Sequence, residues 1–140
     1  HRDLHSFPTR RSSDLYIPID RSHGRQALKS LDEAAKRIAA GSSVLIFPEG
    51  TRSDDGMLHE FKTGAVVLAI KAGVPIAPLG FNGSYEVLAK GKVMPRSGEI
   101  TIRIGPPIAT EHYKSADKQA LAAELQSAVE KLLEERYLRR

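Results

Sequence analysis

Residues 43–53 read Ser-Val-Leu-Ile-Phe-Pro-Glu-Gly-Thr-Arg-Ser, and this stretch carries the strongest indication of the fold. Its first part, 43–47, is a nearly continuous apolar run, which is typical of a strand buried on both faces of a sheet. From Pro48 to Glu60 the chain is a polar loop rich in Gly, Ser and Asp. A loop that follows a buried strand is where α/β sheets present their ligand sites.

Helices are predicted on both sides of this strand. From about Gly24 to Ala40, apolar residues recur at three- and four-residue steps, and Gly41 is a natural helix stop. A short, mostly apolar helix is predicted over Gly64–Ala72. The last helix carries an apolar stripe over Leu121–Leu132 and is predicted to run to about Tyr137.

Three further segments are predicted to be strands. Tyr16–Ile19 is a short apolar piece with a proline, which suits an edge strand. Val74–Leu79 follows the second helix as a buried strand, and Gly98–Ile104 alternates with period two, as a strand with one wet face does. Strands that alternate with helices predict an α/β fold with a mostly parallel central sheet flanked by helices.

Composition narrows the class of protein. The chain has 140 residues, and 21 Lys plus Arg against 17 Asp plus Glu give a net charge of +4. So small an excess does not demand a nucleic-acid partner. The chain contains no cysteine, which excludes a disulfide framework and a thiolate metal site. The longest apolar run, 65–70, is too short to cross a bilayer.

The loop after residue 47 has the chemistry of a phosphate pocket. Gly50 lets backbone N–H groups approach a ligand, Thr51 offers a hydroxyl, and Arg52 carries a planar fork suited to phosphate. Lys62 brings another cation to the start of a helix, which favours an anion. Glu49 places one carboxylate beside them. The alternative is a purely structural loop in which Glu49 and Arg52 pair with each other.

The sequence resembles the glycerolipid acyltransferases, the family typified by 1-acylglycerol-3-phosphate O-acyltransferase. Phe47–Ser53 is similar to the third signature block of that family, which is highly specific. Tyr16–Arg21 is similar to the end of the second block, Phe61–Ala65 to the segment after the third, and Val74–Pro78 to the fourth. The resemblance therefore covers most of 16–79. It implies an acyltransferase-like α/β domain over 16–140.

The resemblance implies transfer of a fatty acyl group to the hydroxyl of a glycerol phosphate, as in the conversion of lysophosphatidate to phosphatidate. The acyl donor is acyl-coenzyme A or acyl-carrier protein, and the mechanism uses no metal and no cofactor. The lipid substrate implies a membrane-associated protein at the cytoplasmic face. Nucleic acid is not an expected partner.

The resemblance also assigns roles to single residues. The arginines of the second and third blocks are expected to hold the acceptor phosphate, in a pocket shaped by the Gly-Thr pair of the third block. The glutamate of that block is expected to contact the acceptor, and the following lysine is added here because of its charge and position. These substrate-binding residues are Arg21, Glu49, Gly50, Thr51, Arg52 and Lys62. The apolar lining is expected from Val74, Pro75, Ile76 and Pro78.

One block of the family is missing. The catalytic His-x-x-x-x-Asp, in which the His acts as general base, does not occur upstream of Tyr16 or before Arg21. His112 and Asp117 have this spacing, but they follow the other blocks and are interpreted as a chance match. His59 is predicted to be an exposed loop residue. The chain as given is therefore expected to be inactive.

Residues 1–15 do not resemble the rest of the protein. They match, residue for residue, the translation of a common sequencing-library adapter, so His1–Leu15 is predicted to be a disordered, adapter-derived segment. The acyltransferase-like domain is then expected to be incomplete at its N-terminus. Two other hypotheses stay open: a non-catalytic anion- or lipid-binding domain on the same scaffold, and a weak nucleic-acid binder, which the small net charge disfavours.

Overall fold

The structure is a computed structural model, and it describes residues 25–138. The predictions that concern His1–Leu15, the Tyr16–Ile19 strand and Arg21 lie outside these described residues. The helices are α1 (Arg25–Ala39), α2 (Gly64–Ala72), α3 (Ser84–Val87) and α4 (Lys118–Glu130), and the strands are β1 (Leu79–Asn82) and β2 (Thr101–Ile104). Short 3₁₀ turns cover Ser115–Asp117 and Glu135–Tyr137.

Helix α2 lies between α1 and α4 and joins two apolar clusters. Leu68 packs on the α1 side against Ala34, Ala35 and Ile38. Val66 packs on the α4 side, in a cluster that also holds Phe61, Ile108, Leu121, Ala122, Leu125 and Val129. Because α2 is apolar nearly all round, it can bury surface on both sides, whereas α1 presents one apolar stripe.

The first two helices confirm the predictions made from the sequence. Helix α1 ends just before Gly41, and α2 ends at Gly73, whose backbone is left-handed with φ of 66°. The Gly73 N–H donates to the Ile70 carbonyl at 3.2 Å, which satisfies one of the open carbonyls of the last turn.

The two strands form an antiparallel pair. Leu79 lies opposite Ile104, and Phe81 lies opposite Ile102. These four side chains share one face, on which the β2 isoleucines are exposed, and the ring of Phe47 lies 6.2 Å from that of Phe81. Helices with a small sheet agree with an α/β fold, while the mostly parallel central sheet stays a prediction because the described pair is antiparallel.

The predicted buried strand at 43–47 is wrong for the described residues. No strand is formed there, and Val44, Leu45 and Phe47 are exposed, with 63% of Phe47 accessible. An apolar run becomes a buried strand only when strands pair with it, and nothing within residues 25–138 does so. The apolar pattern carried no information about the partner strand.

The strand predicted over Val74–Leu79 begins later in the chain than expected. Strand β1 begins only at Leu79, and before it Ile76 makes a single bridge to Ile108. Prolines at 75 and 78 lack the N–H that a ladder needs, so continuous pairing over this segment is not possible. Strand β2 is likewise shorter than predicted, and all four of its residues are exposed.

The last helix ends at Glu130, not near Tyr137. The chain beyond it is held by Asn82, which is buried at the end of β1. Its amide nitrogen donates to the Leu132 carbonyl at 3.1 Å, and its amide oxygen accepts the Glu134 N–H at 2.8 Å. These tertiary hydrogen bonds replace the helical ones, which explains why the apolar stripe overstated the helix length.

Between α3 and β2 the chain is open to solvent, with every residue from 90 to 100 exposed. Within residues 25–138, none of the helices combines the length and the apolar character that a membrane crossing requires.

Candidate functional site

The loop that follows residue 47 is closed at its base. The Lys62 N–H donates to the Pro48 carbonyl at 2.9 Å, so the two ends of the loop lie side by side. A tight turn begins the loop, in which the Gly50 N–H donates to the Phe47 carbonyl at 3.0 Å. We call residues 48–62 the site loop. Its closed form explains how residues of both ends come together.

The far part of the site loop is tied to the C-terminal part of the chain. The Leu58 N–H donates to the Tyr137 carbonyl at 2.8 Å, and the Phe61 N–H donates to the Gln126 side-chain oxygen at 3.1 Å. The Phe61 ring is buried in the cluster between α2 and α4. The site loop is therefore fixed by backbone hydrogen bonds and one buried aromatic ring, although most of its residues are polar.

The Glu49 carboxylate is held by the loop itself. Its Oε2 accepts the backbone N–H of His59 at 3.0 Å. Glu49 and Arg52 form no ion pair within residues 25–138, so the alternative in which these two residues only pair with each other does not describe the structure.

Asp55 organises the tip of the site loop. Its Oδ1 accepts hydrogen bonds from the Ser53 hydroxyl at 2.9 Å, from the Met57 N–H at 3.0 Å and from the His59 ring nitrogen Nε2 at 2.9 Å. A carboxylate oxygen only accepts, so Nε2 carries the proton in this contact. Asp54 next to it pairs with Lys90 at 2.8 Å.

Gly50 brings the Lys62 side chain close to the backbone. Gly50 has φ of 77°, a left-handed conformation that other residues adopt at a cost. A Cβ at this position would lie 3.0 Å from Lys62 Nζ. The missing side chain of Gly50 thus leaves room for the lysine, which places its ammonium over the turn.

A pocket of about 600 Å³ lies against the site loop. Four of the predicted residues line it: Glu49, Thr51, Arg52 and Lys62. The side chains of Arg52 and Lys62 make no ion pair or hydrogen bond with other described residues. The other lining residues are Ser53, Asp54, His59, Glu60, Phe61, Thr63 and Gln119.

Two helices begin at this pocket. Thr63 is the N-cap of α2, and Gln119 is in the first turn of α4. Neither helix has an acidic residue in its first turn, but the N-cap residue of α4 is Asp117, so only the positive end of α2 has no carboxylate at its cap. Free N–H groups and the helix dipole favour an anion at such ends. Together with the two cations, they make the pocket suited to a phosphate group.

The predicted apolar lining lies elsewhere. Val74 packs with the α1–α2 cluster, Ile76 pairs with Ile108, and Pro78 is buried close to Gly105. Neither these residues nor Pro75 line the pocket beside Lys62. Their role as apolar lining stays a prediction.

Sequence reasoning missed three residues of the site. His59 was expected to be an exposed loop residue, yet it is half-buried and paired with Asp55. The i, i+4 spacing of these two and the Asp-Asp-Gly turn before them were the available signals. Gln119 reaches the pocket only through the packing of α4, so no local pattern could have revealed it.

The His112–Asp117 pair does not form a dyad. The His112 ring packs against the Tyr113 ring in a tilted arrangement, with the centroids 4.4 Å apart, and the Asp117 carboxylate accepts the Lys114 N–H. A hydrogen bond to Glu124 raises the pKa of Tyr113. No group of three or more His, Asp or Glu within residues 25–138 is placed to hold a metal ion.

Tyr137 links the site loop to the segment around α3 by hydrogen bonds. Its hydroxyl lies 2.9 Å from a Glu86 carboxylate oxygen and accepts the Gly83 N–H at 2.9 Å. Burial raises the pKa of Tyr137, the hydrogen bond to Glu86 raises it further, and the Gly83 N–H lowers it. Because the Tyr137 carbonyl also accepts the Leu58 N–H, this residue connects the site loop with α3.

Comparison with known families identifies the class of protein that this fold and pocket define. The model of the acyltransferase family matches residues 10–82, which is more than half of the chain. The chain belongs to the acyltransferase family.

Individual relatives are 1-acyl-sn-glycerol-3-phosphate acyltransferases. The enzyme of Limnanthes alba is 40% identical over 99 residues, covering 70% of this chain and 35% of the relative. The alpha enzyme of Ovis aries is 36% identical over 107 residues, covering 76% of this chain and 37% of the relative. The chain thus spans about a third of the length of these curated relatives.

A solved structure shares the fold. The crystal structure of the 1-acyl-sn-glycerophosphate acyltransferase PlsC from Thermotoga maritima superposes with a TM-score of 0.67 at 30% identity. The match covers 74% of this chain and 44% of that one.

Proposed function

We propose that this chain binds the phosphate of a glycerol-phosphate acceptor, as part of an acyltransferase that converts lysophosphatidate to phosphatidate. The observation that carries the proposal is the presence of two cations, Arg52 and Lys62, that have no ion-pair partner within residues 25–138, in a pocket that borders the N-terminal ends of α2 and α4. The relatives described above are named 1-acyl-sn-glycerol-3-phosphate acyltransferases, and these names support the choice of acceptor.

The residues of the pocket divide the work of binding. Lys62 and Arg52 neutralise the phosphate, and backbone N–H groups at the N-terminal end of α2 donate to its oxygens. Thr51 offers a further donor, and Glu49 contacts the glycerol part of the acceptor. Arg21, which lies outside the described residues, adds a second arginine. The acceptor is thereby oriented with its free hydroxyl toward the acyl donor.

The reaction needs a base to activate that hydroxyl. The hydroxyl oxygen attacks the thioester carbonyl of acyl-coenzyme A or acyl-carrier protein, and the thiol leaves as the ester forms. The proton of the hydroxyl passes to the base, which in this family is the His of His-x-x-x-x-Asp, and from the base to the leaving sulfur. This chain has no such pair before Arg21, so we propose that it binds the acceptor and does not catalyse transfer by itself.

The lipid acceptor also bears on location. A lysophospholipid is presented at a bilayer surface, so we propose that the pocket acts at the cytoplasmic face of a membrane. Val74, Pro75, Ile76 and Pro78 remain the proposed apolar contacts for the acyl chains.

The acceptor proposal is tested by binding of glycerol 3-phosphate to the purified chain, followed by NMR or calorimetry. We expect Lys62→Gln and Arg52→Gln each to weaken binding about tenfold or more, because each removes a charged hydrogen-bond donor. Binding should also fall with added salt. Lys131→Gln, which makes the same charge change outside the pocket, is the matched control.

Equal binding by all three variants, or none by the wild type, would reject the pocket as a phosphate site. Vesicles that contain lysophosphatidate then separate a lipid acceptor from a free phosphate ester. Binding to these vesicles beyond that to phosphatidylcholine vesicles supports the lipid, and binding to glycerol 3-phosphate alone supports the soluble ester.

A second experiment separates an enzyme from a non-catalytic binding domain. Sequencing the source DNA across the Leu15–Tyr16 junction shows whether His-x-x-x-x-Asp is encoded in frame before Tyr16. If it is, the corresponding longer protein should transfer acyl groups from acyl-coenzyme A to lysophosphatidate. If the adapter-like residues are encoded there without the pair, the binding-domain hypothesis replaces the enzymatic one.

A further inference from the structure

The charges around the pocket pose a problem for the proposed function. Glu49 shares the pocket with Arg52 and Lys62, and a carboxylate free to rotate would be attracted to either cation. Such a pair would neutralise a group that the phosphate needs. In the structure, the Glu49 carboxylate is instead fixed by the backbone N–H of His59. What holds that N–H in place therefore decides whether the cations stay available.

The position of the His59 N–H depends on the tip of the site loop. The segment from Ser53 to His59 has no helix or strand, so no ladder of backbone hydrogen bonds maintains its shape. The Tyr137 carbonyl holds the Leu58 N–H, and the remainder of the segment is held by hydrogen bonds to Asp55. Its Oδ1 accepts from Ser53, from the Met57 backbone and from the His59 ring, at distances of 2.9 to 3.0 Å. The Ser53 hydroxyl also lies 2.9 Å from the Met57 carbonyl.

We propose that Asp55 is a positioning residue, which holds Glu49 away from the cations of the pocket through the backbone and ring of His59. This inference rests on the proposed function and deepens it, because it assigns to an acidic residue a favourable effect on the binding of an anion. The backbone N–H of His59 holds the Glu49 carboxylate, and the His59 ring connects the residue to Asp55.

The proposal predicts the opposite of simple electrostatics. Removal of a carboxylate near an anion site should strengthen anion binding if only charge matters. If Asp55 positions Glu49, Asp55→Ala should weaken glycerol 3-phosphate binding about tenfold, because Glu49 then competes for Lys62 or Arg52. Asp55→Asn keeps an oxygen acceptor in the same place, so this variant should retain most of the wild-type affinity.

The control is Asp32→Ala, which removes a carboxylate that does not line the pocket. Asp32 lies on α1 and pairs with Lys71 of α2. Its removal should leave glycerol 3-phosphate binding unchanged. His59→Gln, whose side-chain amide can still donate to Asp55, should bind better than His59→Ala.

A second readout is independent of any ligand. Hydrogen exchange of the His59 amide reports its hydrogen bond to Glu49 directly, and exchange of the Leu68 amide in α2 reports whether the core is intact. We expect Asp55→Ala to lose protection at His59 and to keep it at Leu68. If Asp55→Ala unfolds the core, Asp55→Asn and the two His59 variants provide the same comparison.

The outcomes distinguish the two proposals. A wild type that binds no glycerol 3-phosphate rejects the proposed function, while the His59 amide still tests the positioning. If Asp55→Ala keeps the His59 amide protected and binds glycerol 3-phosphate as tightly as the wild type or more tightly, the positioning role is overturned.

Discussion

The ammonium group of Lys62 lies against Gly50, so close that a Cβ on Gly50 would be 3.0 Å from the Lys62 nitrogen. This contact joins the two ends of the site loop, in addition to the backbone hydrogen bond between Lys62 and Pro48. The Lys62 ammonium can therefore lie here because Gly50, at the other end of the loop, has no side chain.

A methyl group at Gly50 should disturb both stability and binding. We expect Gly50→Ala to lower the free energy of unfolding by about 1–2 kcal/mol, because alanine is strained at a φ of 77°. It should also weaken glycerol 3-phosphate binding, since the methyl group displaces Lys62. Denaturant unfolding and calorimetry measure the two effects.

Gly91→Ala is the matched control for this substitution. Gly91 has a similar φ of 81°, but a Cβ there would meet nothing within 4 Å. It should cost a similar amount of stability and leave phosphate binding unchanged. If both variants bind alike, the contact between Gly50 and Lys62 does not position the cation.

The buried amide of Asn82 should be among the costliest side chains to remove. Asn82→Ala leaves the Leu132 carbonyl and the Glu134 N–H without their partner, which we expect to cost about 2–4 kcal/mol. Urea unfolding measures it. The variant Thr101→Ala changes the residue paired with Asn82 across the sheet, but it is exposed and should cost less than about 0.5 kcal/mol. Equal costs would contradict the structural role of Asn82.

Leu68 should report on the packing of α2 against α1. It is 1% exposed within a cluster that includes Ala35 and Ile38, so Leu68→Ala should lower the free energy of unfolding by about 2–5 kcal/mol. Thermal unfolding provides the measurement. Val93→Ala, at a side chain that is 91% exposed, should change it by less than about 0.5 kcal/mol.

Tyr137 should make stability fall at high pH. Its pKa in the folded protein is raised above the usual 10.0, because burial and the Glu86 hydrogen bond favour the neutral hydroxyl. The unfolded chain therefore loses this proton first as the pH rises. The stabilisation is complete below pH 10 and is lost as the pH passes through the folded pKa.

The variant Tyr137→Phe isolates this effect. It should be less stable at pH 8 by about 1–2 kcal/mol, since the Gly83 N–H loses its acceptor, and its stability should decline less above pH 10. Tyr113→Phe should retain most of the wild-type decline, because the Tyr113–Glu124 hydrogen bond lies at the surface. An unchanged pH profile in Tyr137→Phe would contradict this account.

Local patterns predicted the helices better than the strands. Periodicity predicts α1, because the side chains that face the core recur at helical spacing, while α2 is predicted from a short apolar run that a glycine ends. The run at 43–47 was misleading because a strand exists only through its partners, which no local pattern describes. The last helix was predicted too long, since Asn82, 50 residues away from Leu132, determines where it stops.

In the site, too, local sequence predicts some residues and tertiary contacts determine the others. Glu49, Thr51, Arg52 and Lys62 were selected from the sequence, and the structure brings them together in one pocket. Their proximity follows from the closed loop, whose ends are marked by proline and lysine. The contributions of Asp55 and His59 depend on side-chain contacts across a turn, and that of Gln119 depends on helix packing, so residue types alone did not reveal them.

The ties between the site loop and the C-terminal part of the chain have a consequence for biosynthesis. Phe61 and Gln126 are 65 positions apart, and Leu58 is bound by Tyr137 still further along the chain. Contacts between such distant residues carry a large loop-closure entropy and form after local structure. On the ribosome, α1 and α2 can pair early, but the site loop stays without its anchors until Tyr137 has emerged. A nascent chain would thus have a packed helical pair well before its site loop is anchored.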